Sequence, residues 1–435
     1  MLTAQARSCR ALALEPSFLQ ALLNHGMALN ALGRPADGVR CATRAVRLCP
    51  SDARGWNNLG NGLRMDGRPQ KAAAALRCAA VLEPASASVW SNLSSAWAET
   101  SHFDDARACL SRALTISPGN AALVFNRSLL SLACGRWAEG WRDYRARYTA
   151  GHVQPRPFPQ PEWNADTPPA SLVIWGEQGL GDEIMFASVL PELPMPTGSV
   201  VFETDARLVR LFARSFPELH VVPRTTPPAP PALAAEVQLP LADLVGRLRS
   251  DRARFPAGAR YLAPDRCRTG RLRVSLTAMS GSRPLIGLAW RSGSPRNGRL
   301  RSIPAPALAP LLAVDRVRFV SLQAQETEVE RASLSDNRLL RPNGIDHRED
   351  IDGLAALLSA LDLVITIDTT TAHLAGALGM PTWTLLPSVA EWRWGRTGHA
   401  TPWYPTMRLF RQTEPSTWEP VVVAVANALA KREWP

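Results

Sequence analysis

At 435 residues the chain is too long for one hydrophobic core, and 46% apolar with 20% charged residues is the composition of a soluble globular protein with two or three domains. It has no run of eighteen apolar residues and no signal-peptide core in its first thirty, which predicts no membrane span and a cytoplasmic location. The net charge of +11 comes almost entirely from scattered arginines, with lysine only at Lys71 and Lys431 and no basic block interleaved with aromatics, so nucleic acid is not the expected partner.

The first third repeats. Pro16, Pro50, Pro84 and Pro118 stand 34 residues apart, as do Ala11, Ala45, Ala79 and Ala113, and Asn24, Asn58, Asn92 and Asn126. Gly26 and Gly60 are followed at the same offset by Ser94. Small residues let two helices approach closely and the proline stops the second of them, so each repeat reads as a helical hairpin. This resembles the tetratricopeptide pattern, with Asn58-Leu59-Gly60, Leu93 and Trp97 in first helices and Ala79 and Ala113 in second helices. A repeat superhelix is expected over residues 1–150, with full repeats at 19–52, 53–86 and 87–120, a degenerate one at 121–150, and a second helix alone in 1–18. The asparagines of this column have two readings. They line a groove and pair with an extended peptide, as in the repeats of O-linked N-acetylglucosamine transferases, or they bond neighbouring backbone.

Residues 151–170 hold six prolines and read as an extended linker. The pattern then changes. Residues 171–175 are a buried-strand run, the glycine turn 176–182 (GEQGLGD) follows, and 184–190 is helical, the opening of a Rossmann-like unit. Further strands are expected at 200–202 and 219–222 around a helix at 205–216, with a loop at 223–235 and little periodicity in 256–284. The second half restarts at Leu285–Trp290, with strands at 319–322, 363–367 and 382–386 and helices at 306–312, 326–334, 353–360, 369–378 and 419–431. Alternating βα units in two halves predict two parallel-sheet lobes facing across a cleft, at 171–284 and 285–435.

Ligands of such sheets bind at the carboxyl ends of strands, after Trp175, Trp290 and Ile367. Asp368, Thr369, Thr370, Thr371 and His373 open a helix there, where free N–H groups and hydroxyls suit a diphosphate. Otherwise Thr369 only caps the helix and His373 packs inside it. These segments together resemble the heptosyltransferase-like glycosyltransferases of the GT-B class, which carry a Gly-Asp turn in the acceptor lobe and a strand, Asp-Thr, helix-with-His element in the donor lobe. Gly181-Asp182 matches the first and Asp368-Thr369 with His373 the second. The combination of such a domain with tetratricopeptide repeats is familiar in bacterial proteins, some of which modify flagellin.

The resemblance implies a nucleotide-sugar donor, no other cofactor and no metal, since nothing resembles an acidic metal site. It also implies direct inversion at the anomeric carbon. Asp182 matches the general base, on a turn with Gly179 and Gly181, and alternatively caps a helix starting at Glu183. Arg301 matches a basic residue neutralising the donor phosphates, a task Arg291 could share, and Glu326 matches a ribose-binding glutamate. Thr370 stands where relatives often have Gly, and arginine replaces lysine in the 299–301 loop. The aromatic segments 391–394 and 402–410 either line the donor cleft or pack the lobes. The seven cysteines show no CxxC or zinc spacing and read as small buried apolar residues. The expected function is transfer of a sugar to a protein Ser/Thr hydroxyl recruited by the repeats. The alternatives are a non-catalytic scaffold with a relic α/β domain, and transfer to a glycan or lipid.

Overall fold

In a computed structural model the chain divides into two compact units, Met1–His152 and Val153–Pro435, which we describe separately. The described residues are all except 1, 16, 165, 166, 194, 197, 256, 257, 259, 295–297, 335–338, 416 and 435, and the side chains of 2–5 are also left aside. Pro16 of the repeat column, two linker positions and the centre of the 291–301 loop thus lie outside the described residues.

The first unit is helical throughout: α1 (Leu2–Leu14), α2 (Leu19–Ala31), α3 (Pro35–Leu48), α4 (Ala53–Met65), α5 (Pro69–Leu82), α6 (Ala87–Glu99), α7 (Phe103–Ile116), α8 (Ala121–Ala133), α9 (Trp137–Tyr144) and the single turn α10 (Ala146–Thr149). Each helix from α1 to α9 packs on the next, and α4 also touches α2 and α6. Pro50, Pro84 and Pro118 lie just beyond the ends of α3, α5 and α7, where they stop the helix. Trp56 and Trp90 donate their indole N–H groups to the carbonyls of Pro50 and Pro84 at 2.8 and 2.9 Å. The small-residue column is tightest at Gly60, where a Cβ would stand 2.4 Å from Cγ of Leu76. Ala45, Ala79 and Ala113 are wholly buried.

The second unit holds two parallel sheets. The first lobe runs β1 (Leu172–Trp175), α11 (Leu180–Phe186), β2 (Val200–Thr204), α12 (Val209–Ser215), β3 (His220–Pro223), α13 (Pro230–Leu233), β4 (Val237–Pro240) and α14 (Leu241–Leu248), in strand order β3-β2-β1-β4. The next helix, α15 (Arg266–Ser280), packs on the second lobe, where Arg268 pairs with Asp350 and Arg273 with Asp362, so the chain crosses between lobes before the boundary expected at 284. The second runs β5 (Leu285–Leu288), α16 (Gly298–Arg301), α17 (Ala309–Leu312), β6 (Arg318–Ser321), α18 (Glu328–Ser333), β7 (Leu339–Leu340), α19 (Ile351–Ser359), β8 (Leu363–Ile367), α20 (Thr370–Ala377), β9 (Thr382–Leu386), β10 (Met407–Arg411) and α21 (Glu419–Ala430). Its order is β10-β9-β8-β5-β6-β7. The strands are nearly continuous apolar runs because both faces are covered, one of them by α17 and α21 around Ile286, Phe319, Ile365 and Trp383. In each sheet the order reverses at the first strand, which places crevices at the carboxyl ends of β1 and β5.

Several expectations change. Residues 266–280, read as unperiodic, form the longest described helix of the chain; Leu276 and Ser280 are its buried residues, so no apolar stripe announces it. β4, β7, β10 and α14 were not expected. The proline-rich segment is extended but packed on the first lobe, with Arg156 paired to buried Glu203 at 2.7 Å and Trp163 N–H donating to the Gln238 carbonyl. Among the cysteines, Cys109 is buried but Cys9, Cys78 and Cys267 are exposed.

Candidate active site

The turn after β1 leads directly into α11, which starts at Leu180 rather than Glu183. Asp182 is therefore inside the first helical turn and is not the residue preceding it. Its Oδ2 reaches back to accept from Gly179 N–H at 3.3 Å, satisfying one of the helix's free donors. The neighbouring Glu183 is buried and fixes the helix from behind, accepting from Thr204 Oγ1 at 2.6 Å and from Asp205 N–H at 3.0 Å, and pairing with Arg224. Gly181 approaches the second lobe so closely that a Cβ there would stand 2.8 Å from Cδ2 of His373.

Across the cleft, Asp182 meets a chain of charges. Arg393 donates to its Oδ1 from Nε at 3.0 Å and also from Nη2. The same guanidinium reaches Glu391 Oε2 at 2.5 Å, while the other oxygen of Glu391 accepts from Arg301. Arg301 donates to the Asp368 carbonyl at 3.2 Å and lies 3.4 Å from its carboxylate. Asp368 is buried at the end of β8, and that burial raises its pKa, with Arg301 acting in the opposite direction. Five side chains from two lobes thus form one array.

Beside it a pocket of about 390 Å³ opens at the carboxyl ends of β5, β6 and β8. Arg291, Thr369, Thr370 and Thr371 line it from the second lobe, and Leu180 and Arg207 from the first. Arg291 is oriented by Glu330, to which Nε donates at 2.8 Å, and its backbone N–H is held by Gln323 at 2.9 Å. Thr369 precedes α20, but its hydroxyl turns back towards the Ile367 carbonyl at 3.4 Å and does not cap the helix. Arg348 and His347, neither expected, complete one wall, and burial lowers the His347 pKa.

Three expected residues lie elsewhere. Glu326 does not line the pocket; its side chain is enclosed between Ser321, which donates at 2.7 Å, and Arg341 at 2.9 Å. Arg301 sits in the charge array and does not line the pocket wall. His373 is buried at the lobe contact, stacked on Trp394 at 4.9 Å and hydrogen-bonded to Tyr404 at 2.9 Å. Burial, with Arg393 and Arg301 nearby, pushes its pKa down to about 3, so the ring is neutral. Trp392, Trp394, Trp403 and Tyr404 are all buried, and Phe255 of the first lobe meets Trp403 edge-on at 4.8 Å, so these aromatics pack the lobes. In segment 391–394 the tryptophans dominate the sequence pattern, while the residues that join the array are the two charges beside them, Glu391 and Arg393.

In the first unit the asparagine column bonds from repeat to repeat. Asn58 Nδ2 donates to the Leu23 carbonyl at 3.2 Å, Asn92 to Asn57 Oδ1 at 2.9 Å and Asn126 to Ser91 Oγ at 3.4 Å, each across 35 residues. Asn24 accepts from Gln20 within its own helix. Asn58 is buried, while Asn24 and Asn126 remain exposed.

Comparison with known proteins adds three findings. Residues 315–432 match the glycosyltransferase family 9 (heptosyltransferase) model, and 23–88 and 58–121 match the tetratricopeptide repeat. Protein FlbA of Caulobacter vibrioides is 33% identical over 327 residues, 70% of this chain, and the chain spans about half (54%) of that relative's length. Among solved structures, a thermophilic tetratricopeptide-repeat protein of Thermus thermophilus, TTC0263, is 21% identical and covers 34% of this chain and 81% of its own, with a TM-score of 0.31. A MamA fragment from Desulfovibrio magneticus is 15% identical over 34% of this chain and 82% of its own, at 0.29. The chain is therefore similar to tetratricopeptide-repeat proteins over residues 23–121 and to glycosyltransferase family 9 (heptosyltransferase) proteins over residues 315–432.

Proposed function

We propose that the second unit is a metal-independent glycosyltransferase of the GT-B arrangement that moves a sugar, with inversion, from a nucleotide-sugar to an acceptor hydroxyl. The observation that carries this is the meeting of Asp182 on one lobe with the arginine array of the other, next to a pocket at the strand ends. The diphosphate takes the N-terminus of α20, the threonine hydroxyls and Arg291, with Arg301 at its edge. Asp182 removes the acceptor proton as its oxygen attacks the anomeric carbon, and the nucleoside diphosphate departs with the bonding pair. The arginines take up the charge that builds on that leaving group. A protein Ser or Thr hydroxyl is the acceptor we favour, because the repeats supply a surface for a polypeptide; flagellin is one such candidate.

Calorimetric titration with nucleoside diphosphates and nucleotide-sugars tests the reading. Arg291→Ala should weaken binding of the active compound, while Asp182→Asn should still bind it yet turn over about a hundredfold or more slowly. A protein silent towards the whole panel would be a scaffold, and the enzymatic reading would fall.

A further inference from the structure

We propose that Glu391 is the stand-in for the donor's diphosphate in the donor-free protein, and that Arg393 is a second phosphate-binding residue whose capture by the donor releases Asp182. This rests on the donor-site reading above. Glu391 divides its carboxylate between two guanidinium groups, giving one oxygen to Arg301 and the other to Arg393. Two arginines brought together on one bridging anion are the arrangement a diphosphate requires, since it too offers oxygens to separate donors.

Relative exposure identifies which member of the array exchanges. The Glu391 side chain is 32% exposed, against 16% for Arg301, 11% for Arg393, 17% for Asp182 and 5% for Asp368. The arginines are also held from behind. Arg301 is fixed by the carbonyl of Asp368, and Arg393 lies over the Trp392 ring at 4.8 Å. With Glu391 in place both guanidinium groups already hold a carboxylate oxygen, so an entering diphosphate must displace it to reach them. Glu391 can swing outward without opening the core; Asp368 and Asp182 cannot.

The exchange also reaches the base. Arg393 holds Asp182 through Nε and Nη2 and Glu391 through Nη1. A diphosphate, with more charge than the carboxylate it replaces, draws this guanidinium away from Asp182. The base then faces the acceptor only when a donor is in place, which predicts that donor binds first.

The probe is inorganic pyrophosphate, titrated calorimetrically into the full chain. Glu391→Gln should tighten binding and Arg393→Ala should weaken it, each about tenfold, the effect of gaining or losing one charge-assisted hydrogen bond. Unchanged or weaker binding by Glu391→Gln, or wild-type binding by Arg393→Ala, overturns the proposal. If circular dichroism shows Glu391→Gln unfolded, Glu391→Asp, too short to bridge both arginines, is judged by the same signs. Silence of wild type and variants alike overturns the donor-site reading and this proposal with it. Binding that Arg291→Ala weakens and Glu391→Gln leaves unchanged overturns this proposal alone.

Discussion

At His373 burial and the neighbouring guanidinium groups of Arg393 and Arg301 act in one direction, against the charged ring. The ring is enclosed by Trp394, Tyr404 and Gly181, and its pKa falls to about 3 from the ordinary 6.5. The unfolded chain therefore binds a proton below pH 6.5 that the folded chain refuses. The stabilisation from this group is complete above about pH 6.5 and declines as pH falls towards 3, amounting to a loss of about 1 kcal/mol by pH 5.5. His373→Gln removes that dependence, so the stability gap between wild type and variant should shrink between pH 7.5 and 5.5 in chemical-denaturation curves of the full chain. A gap that stays constant would mean His373 is charged inside the fold. The residue was visible in the sequence because it lies in a strand-turn-helix pattern with Asp368 and the threonines. Its neighbours were not, since Tyr404 lies 31 residues away and Asp182 finds Arg393 across 211. Local pattern carries a turn's chemistry, whereas a pairing across two lobes has no signature in either segment alone.

Among the elements, those announced by a period or by a closed apolar run emerged with nearly the expected bounds: the repeat helices, β8 and β9. Those whose burial depends on others did not. α15 exposes most of its surface, and β10 was hidden in a segment whose aromatics drew attention to the cleft when Leu409 and Phe410 in fact extend the sheet beside β9. Glycine separates packing from propensity at the same scale. In a helix interior, Gly→Ala normally stabilises by about 0.5–1 kcal/mol. Gly270 on α15 has nothing within 4 Å of an added Cβ, so Gly270→Ala should raise stability by that amount. Gly60 faces fully buried Leu76 with three carbon atoms at 2.4–3.0 Å, so Gly60→Ala must push α4 from α5 and should cost about 1–3 kcal/mol despite the better propensity. Thermal melts of the two variants should move in opposite directions; a stabilised Gly60→Ala would show that the hairpin has room to relax.

For the whole molecule, the division into two units, each with its own core, sets how ligand energy is distributed. The repeats are held together by neighbour-to-neighbour contacts, including the asparagine bonds across 35 residues, so a perturbation in one repeat is felt chiefly by the next. The second unit is tied across its lobes by Arg393 to Asp182 and by the bidentate pair of Arg214 with Asp352 at 2.7 and 2.8 Å. A nucleoside diphosphate at a hundred times its Kd stabilises whatever unfolds together with its site by about 2.7 kcal/mol. Hydrogen exchange in the presence of that ligand should therefore slow within residues 153–435, on α11 and α20 together because Leu180 of the one and Thr370 and Thr371 of the other line the same pocket, and leave residues 1–152 unchanged. Slowing confined to the second lobe would mean that the lobes open independently and that Asp182 is not coupled to the donor. Slowing that spread into the repeats would show that donor occupancy is communicated to the surface proposed to hold the acceptor, making the two substrates thermodynamically linked rather than merely tethered to one chain.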